Sequence, residues 1–174
     1  MLADKKIAVI IINWKKYDFT LKCIDSVLKS SYKNFKIILI DNESQNSFPY
    51  EINKSEKIQI IKNENNEGFS KANNQGIKYS IKHGFDYVLL LNNDTLIKND
   101  LIDSLIQQSS ALNQKIIQPL ILNYDGTKIW NAGGKINNIF GILNCVNTSA
   151  FPRLLSTFSG SNIPSRANVN SSTA

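Results

Sequence analysis

The sequence has few of the residues from which zinc and disulfide sites are usually built. Its 174 residues include two cysteines and one histidine. Such a small set forms neither a zinc site nor a disulfide framework. Cys23 falls within a segment of helical periodicity, and we therefore expect it to be a buried free thiol.

Signals for nucleic acid, export and membrane insertion are also missing. The two arginines stand near the end of the chain, and the net charge of +6 comes from lysines dispersed through it. Such a charge permits attraction to phosphates or to an anionic membrane surface, but without an Arg-rich cluster it does not indicate nucleic acid. No apolar run reaches the roughly 20 residues of a membrane span. The polar start, residues 1–6, leads straight into a strand-like run and has no signal-peptide pattern. We expect a cytoplasmic protein.

Two kinds of phosphate-binding motif are absent from the sequence, and all acidic residues lie within its first 125 positions. The chain contains neither GxGxxG nor a Walker A sequence, which argues against the usual dinucleotide and triphosphate sites. No Asp or Glu follows Asp125. A carboxylate that acts as a general base would therefore have to come from the first 125 residues.

The most informative stretch is Val88–Thr95, in which four apolar residues run into Asn92, Asn93 and Asp94. A short apolar run without alternation predicts a strand buried on both faces. A carboxylate flanked by amides is poor core material but a good oxygen ligand for a divalent cation. The plainer interpretation is a strand followed by a turn.

The same pattern recurs along the chain and predicts an α/β fold. Apolar runs at 7–12, 35–40, 58–61 and 85–91 alternate with helical periodicities at 18–28, 69–83 and 100–112. Such alternation is typical of an open, mostly parallel sheet with helices on both faces. We further predict a strand within 116–122 and a core position for Trp130.

Polar residues follow the predicted strands and should gather at one edge of the sheet, where ligands of such folds bind. Asn13, Asp41 with Asn42, and the Asn92–Asp94 group come from three strand ends. Amides and carboxylates there can hydrogen-bond a base or a ribose. Gly68, at the start of a helix, would allow a phosphate to approach the helix N-terminus.

Four stretches in series resemble family 2 glycosyltransferases of the GT-A fold, particularly a rhamnosyltransferase-like bacterial branch. They are Val9–Trp14, Ile38–Ser44, Asn66–Gly76 and Leu89–Thr95. The resemblance covers about residues 6–144, the N-terminal, donor-binding part of such an enzyme. It implies an inverting hexosyl or rhamnosyl transfer from a dTDP-, UDP- or GDP-sugar. The acceptor would be a cell-surface glycan or a lipid-linked glycan, with peripheral association at the inner face of the membrane.

The resemblance also implies roles for individual residues. Asn13 and Trp14 would line the nucleotide pocket, Asp41 would hydrogen-bond the base or ribose, and Asn73 and Asn74 would face the donor sugar or its diphosphate. The full set expected to bind nucleotide sugar is Asn13, Trp14, Asp41, Asn42, Gly68, Asn73, Asn74 and Asn93. Asp94 and Asn92, at the Asp-x-Asp position of the family, would hold Mn²⁺ or Mg²⁺, and an Asn in place of the first carboxylate should weaken metal affinity.

These residues also have plainer interpretations. Asn13 could cap a turn, Asp41 and Asn42 could simply form one, and Trp14 could be a packing residue. One of Asn73 and Asn74 could be a solvated amide on a helix surface.

The chain departs from the family in its second half. Family members carry a general base there, in an acidic motif, and no such motif follows Gly134. The catalytic base is therefore unassigned, and the chain looks truncated or frame-altered. We expect a nucleotide-sugar-binding domain at 1–144, with an incomplete acceptor half, and a poorly ordered tail at 145–174.

Three functions follow from this sequence. The first is a glycosyltransferase that is active despite the missing motif. The second is a fragment that binds nucleotide sugar without transferring it. The third, a nucleotidyltransferase, is disfavoured because its Gly-rich basic phosphate loop is absent.

Overall fold

The computed structural model describes residues 4–15, 17–43, 52, 54–132 and, for the backbone alone, 134–137 and 142–145. Two compact units divide the chain, Met1–Ile116 and Ile117–Ala174. The first unit contains the predicted sheet and its helices. None of the helices in the described ranges combines the length and the apolar composition that crossing a membrane requires.

The first unit is built around a four-stranded parallel sheet. Its strands are β1 (Ile7–Asn13), β2 (Phe35–Asn42), β3 (Ile58–Asn63) and β4 (Tyr87–Asn92). Their order across the sheet is β3-β2-β1-β4, and every neighbouring pair is parallel. The predicted parallel sheet is confirmed, and its strands continue one or two residues into the polar segments that follow them.

Helices cover both faces of the sheet, as expected. On one face, α1 (Tyr17–Leu28) and α3 (Leu101–Ala111) pack on residues such as Val9 and Leu39. On the other face, α2 (Phe69–Lys82) packs on Ala8, Ile10 and Ile38. Each fully buried aliphatic side chain in these layers stabilises the fold by roughly 1.5–3 kcal/mol.

Small residues, Ala72 and Gly76, let α2 approach the sheet closely. Ala72 is fully buried. A Cβ built on Gly76 would lie 2.8 Å from Cγ2 of Ile10. A larger residue there would push the helix away from β1.

The prediction that β4 is buried on both faces is wrong. Tyr87, Leu89 and Leu91 pack against the core, but Val88 and Leu90 are 38% and 51% exposed. β4 is an edge strand among the described residues, and α2 packs chiefly over β1 and β2. An apolar run predicts burial but not which element supplies the cover.

The second unit contains two short antiparallel pairs. β5 (Ile121–Leu122) pairs with β6 (Ile129–Asn131), and β7 (Gly134–Asn137) pairs with β8 (Ile142–Cys145). The strand predicted within 116–122 is thus two residues long. The core position predicted for Trp130 is wrong, because its side chain is 72% exposed. Residues 146–174, most of the predicted tail, lie outside the described residues.

Candidate ligand site at the carboxyl end of the sheet

The parallel register brings the polar strand ends together. Asn13 of β1 lies directly beside Asp41 of β2, and Ile12 lies beside Asn92 of β4. Because parallel strands end at the same edge, the three polar segments form one rim. Two rim residues that are not glycine, Lys15 and Glu43, have φ of 61° and 70°. Such left-handed conformations turn the chain sharply after β1 and β2.

A buried chain of side-chain contacts joins three of these strand ends. Nδ2 of Asn13 faces Oδ1 of Asp41 at 3.5 Å, a long hydrogen bond. The hydroxyl of Thr20, on α1, donates to Oδ1 of Asn13 at 2.6 Å. Nδ2 of Asn93 donates to Oγ1 of Thr20 at 2.9 Å. Asn13 and Thr20 are fully buried and Asp41 is 2% exposed, so water competes little with these contacts.

Asp41 keeps an unused acceptor in this arrangement. Among the described residues, none donates a hydrogen bond to its second oxygen, Oδ2. An ionised carboxylate accepts hydrogen bonds at both oxygens. The free oxygen can therefore receive a hydroxyl or an amide from a ligand.

A second network, built on Asn42, holds the loop between β3 and α2. The Asn42 amide donates to Oδ1 of Asn66 at 2.6 Å, and its oxygen accepts from Nδ2 of Asn63 and from the backbone N–H of Glu67. Asn63 and Gln75 exchange two further side-chain hydrogen bonds, each 2.9 Å long. Asn42 thus fixes the position of the loop that leads to Gly68.

A cavity of about 610 Å³ opens at this rim. Its volume is within the range of small-molecule sites. Its lining combines apolar and aromatic side chains with amides and one carboxylate. The lining residues are Ile12, Trp14, Phe19, Asn42, Asn66, Gly68, Phe69, Leu91, Asn92, Asn93 and Asp94. The rings of Trp14, Phe19 and Phe69 are each about half exposed or more. The Lys15 ammonium lies 4.9 Å from the centroid of the Trp14 ring.

The N-terminus of α2 lies at the same cavity. Gly68, the residue before the helix, has φ of 77°, and no heavy atom would lie within 4 Å of a Cβ built there. No side chain among the described residues caps the helix. Backbone N–H groups at an uncapped helix start favour an anion. This end of the cavity therefore suits a phosphate group.

Asp94 contributes a carboxylate to the lining of the same cavity. The Sγ of Cys23 lies 3.5 Å from the carbonyl oxygen of Asn92, two residues before Asp94. Burial first, and then the charge of Asp94, raise the pKa of the Cys23 thiol to about 12. The predicted buried free thiol is confirmed. Its raised pKa makes it a packing residue and not a nucleophile.

The described residues contain no cluster of three or more His, Cys, Asp or Glu side chains that could enclose a metal ion. The candidate ligands are the Asp94 carboxylate and the Asn92 amide, which offer hard oxygen atoms. They fit a divalent cation that takes its remaining ligands from elsewhere, such as water or a phosphate.

The structure brings most of the predicted site residues together. Trp14, Asn42, Gly68, Asn92, Asn93 and Asp94 line the cavity. Asn13 and Asp41 do not line it, but Thr20 joins Asn13 to the lining residue Asn93, and Asn13 contacts Asp41. Asn73 and Asn74 do not line it. The buried Asn73 donates to the carbonyl of Phe69, and Asn74 is exposed. Their contact with a donor stays a prediction.

Sequence reasoning missed Thr20 and Phe19, which lie on α1, where helical periodicity does not distinguish them from other helix residues. Asn66 and Phe69 belong to the segment Asn66–Phe69, which the sequence placed at the same edge of the sheet, and both line the cavity.

Comparison with known proteins identifies the family to which this chain is similar. The family model described as glycosyl transferase family 2 matches residues 8–158, and so extends past the resemblance seen in the sequence. A glycosyltransferase of Streptococcus pneumoniae, GlyG, is 25% identical over 68% of this chain. The dTDP-rhamnosyl transferase RfbF of Shigella flexneri is 26% identical over 70% of it. The chain covers 40% of the length of each of these relatives.

Solved structures agree on the fold. TarS of S. aureus, residues 1–349, superposes with a TM-score of 0.55 at 15% identity, over 68% of this chain and 40% of TarS 1–349. A mannosyltransferase of Pyrobaculum calidifontis, solved with GDP-Man and Mn²⁺, gives a TM-score of 0.52 at 13% identity, over 60% of this chain and 32% of its own. The first unit thus has the GT-A fold.

Proposed function

The chain belongs to glycosyl transferase family 2, and on that basis we propose that it binds a nucleotide-diphosphate sugar at the carboxyl end of its sheet. The sugar is transferred to a cell-surface glycan or a lipid-linked acceptor, with inversion. The relative RfbF is a dTDP-rhamnosyl transferase, and structural neighbours are known with UDP-GlcNAc, UDP and GDP-Man. The ligands of these proteins support the substrate class and do not identify the base of the nucleotide.

The observation that carries this proposal is the single cavity shared by the strand ends and the N-terminus of α2. The nucleoside lies towards Trp14, which lines the cavity. It also lies towards Asp41, whose Oδ2 then accepts a hydrogen bond from the base or ribose. The diphosphate lies between Gly68 and Asp94, where the helix start favours its negative charge. One site then accommodates the three parts of a donor: an aromatic base, a ribose and two phosphates.

A divalent cation, Mn²⁺ or Mg²⁺, fits the hard oxygens of Asp94 and Asn92. When bound, it would act as a Lewis acid that stabilises the leaving nucleoside diphosphate. With one carboxylate among the candidate ligands, the chain alone binds the cation weakly. We therefore expect metal affinity to appear mainly once a diphosphate supplies further oxygens.

A second function, binding without transfer, is favoured by one observation. No Asp or Glu follows Asp125, and the general base of the family belongs to its acceptor half. A protein with the donor site and without that carboxylate binds nucleotide sugar and transfers it poorly. Sugar transfer to an acceptor by the purified chain would contradict this second function and leave the first.

The experiment is a thermal-unfolding panel with UDP, dTDP, GDP and their sugars, each with Mn²⁺ or with EDTA. A ligand at about a hundred times its Kd adds roughly 2.7 kcal/mol to the unfolding free energy. We expect one nucleotide series to raise the Tm and its effect to be lost in Asp41→Ala. In Asp94→Ala the remaining shift should be the same with Mn²⁺ and with EDTA. No shift with any nucleotide, for a chain that unfolds cooperatively, would contradict the proposal.

A further inference from the structure

Thr20 occupies an unusual position for a helix residue. It is fully buried, and its hydroxyl lies between two side chains from different strand ends. The hydroxyl donates to Oδ1 of Asn13 at 2.6 Å and accepts from Nδ2 of Asn93 at 2.9 Å. Because a hydroxyl has one proton and two lone pairs, it can serve both partners at once.

These two bonds set the orientation of both amides. With its oxygen held by Thr20, Asn13 directs its NH₂ group towards Asp41. With its NH₂ group held by Thr20, Asn93 leaves its oxygen for the cavity that it lines. A flip of either amide would place two acceptors or two donors face to face. Thr20 therefore determines what each end of the site offers to a ligand.

We propose that Thr20 is a positioning residue that couples the nucleoside end of the site, at Asp41, to the diphosphate end, at the Asn92–Asp94 loop. The proposal rests on the proposed function and goes beyond it, because it assigns a role to a side chain that touches no ligand. Through Asn13, Thr20 orients Asp41; through Asn93, it holds the loop that carries Asp94. Binding at one end then favours the conformation that binds at the other.

Ser26, on the same helix as Thr20, serves as a control for a purely structural role. The Ser26 hydroxyl donates to the carbonyl of Cys23 and accepts from the backbone N–H of Ile97. It also ties α1 to the segment after β4, but it does not line the cavity and contacts none of Asn13, Asp41 and Asn93. Loss of the Ser26 hydroxyl should therefore affect stability without affecting the coupling.

The experiment measures nucleotide affinity by calorimetry, with and without Mn²⁺, for wild type, Thr20→Val, Thr20→Ser and Ser26→Ala. The ligand is whichever of UDP, dTDP and GDP the wild type binds most tightly. We expect Thr20→Val to reduce the Mn²⁺ enhancement of affinity by about fivefold or more, since that is a typical size for coupling between sites. Thr20→Ser, which keeps the hydroxyl, should restore the enhancement. Ser26→Ala should leave it unchanged.

The outcomes separate this inference from the function on which it rests. If the wild type binds none of the three nucleotides, the proposed function fails and this inference fails with it. If the wild type binds and Thr20→Val keeps the full Mn²⁺ enhancement, the inference alone fails. An equal loss in Thr20→Val and Ser26→Ala would also overturn it, because the effect would then be general destabilisation.

A second measurement covers the case in which Thr20→Val does not fold. In ¹⁵N-labelled wild type, the free nucleoside without phosphate is added in the presence of Mg²⁺. Contact at Asp41 should change the side-chain NH₂ resonances of Asn93 as well as those of Asn13. A change at Asn13 with none at Asn93 would overturn the inference.

Discussion

The two ends of the four-stranded sheet use the same residue types in different ways. At the amino end, both oxygens of Asp86 have donors, the Lys5 ammonium at 3.0 Å and the Lys6 backbone N–H at 2.8 Å. At the carboxyl end, Oδ2 of the buried Asp41 has no donor among the described residues. A carboxylate whose bonds are complete stabilises the fold. One that keeps an oxygen without a donor can still accept a hydrogen bond from a ligand.

The largest expected effect is a loss of nucleotide affinity on substitution of Asp41, at the carboxyl end of the sheet. Asp41→Asn keeps the shape of the side chain but replaces one acceptor oxygen with a donor. A hydrogen bond to a charged group contributes roughly 1.5–3 kcal/mol, and we expect nucleotide affinity to fall by about that amount. Calorimetric titration checks this. An unchanged Kd would show that Asp41 does not contact the ligand.

Substitution of Asn42 should lower the stability of the protein by an amount similar to, or slightly smaller than, the affinity change expected for Asp41→Asn. Asn42→Ala removes one hydrogen bond each from Asn66, Asn63 and the Glu67 N–H, and we expect about 2 kcal/mol less unfolding free energy. Urea denaturation measures it. Asn65→Ala, at an exposed position in the same loop, is the control and should have little effect. Equal losses in the two variants would contradict the role given to Asn42.

Gly68 precedes α2 and Gly84 follows it, so substitutions at the two glycines compare the two ends of this helix. Both have positive φ, 77° and 66°, and neither has a heavy atom within 4 Å of a built Cβ. Replacement by Ala should cost about 1–3 kcal/mol of stability at Gly68, because its φ of 77° and ψ of 164° lie in a region that essentially only glycine adopts. A cost from backbone conformation is also expected at Gly84, whose φ is positive. Nucleotide affinity should fall in Gly68→Ala and stay at the wild-type value in Gly84→Ala. A fall in affinity for Gly84→Ala would argue against a phosphate at the start of α2.

The smallest effect is expected on the pH dependence of stability when Asp86, an exposed carboxylate, is replaced. The Lys6 backbone N–H, and then the Lys5 ammonium, hold the pKa of Asp86 below its ordinary value of 3.8. Its contribution to stability is thus present above about pH 4 and is lost as pH falls through its lowered pKa. Between pH 5 and pH 2, the stability of Asp86→Asn should fall slightly less than that of the wild type, as measured by urea denaturation. A steeper fall in the variant would contradict this assignment.

Much of the fold could be predicted because the strand pattern is local. Apolar runs identified four strands, and the Asn or Asp that directly follows three of them identified the edge at which their polar residues meet. Parallel pairing then required Asn13 and Asp41 to lie close together, and they are adjacent in the register. The exposed face of β4 could not be predicted, because burial of an edge strand depends on which other elements cover it.

The rest of the site could not be predicted because it depends on contacts between residues far apart in the chain. Thr20 meets Asn93 across 73 positions, and a buried Thr on a helix has the pattern of any core residue. Asn42 was expected to contact ligand, and the structure shows that its amide also fixes the Asn66 loop. Exchange of hydrogen bonds between Asn63 and Gln75 likewise has no signature in the sequence.

The central claim, that the carboxyl-end cavity binds a nucleoside diphosphate, is tested most directly by a pair of substitutions at the two ends of β4. Asp86 precedes this strand and Asp94 follows it, and both are exposed. Calorimetric titrations of UDP, dTDP and GDP, with and without Mn²⁺, compare wild type, Asp86→Asn and Asp94→Asn. We predict that wild type and Asp86→Asn bind one of the three nucleotides with the same Mn²⁺ enhancement, and that Asp94→Asn loses the enhancement. Absence of binding in folded wild type, or equal behaviour of the two variants, would contradict the account.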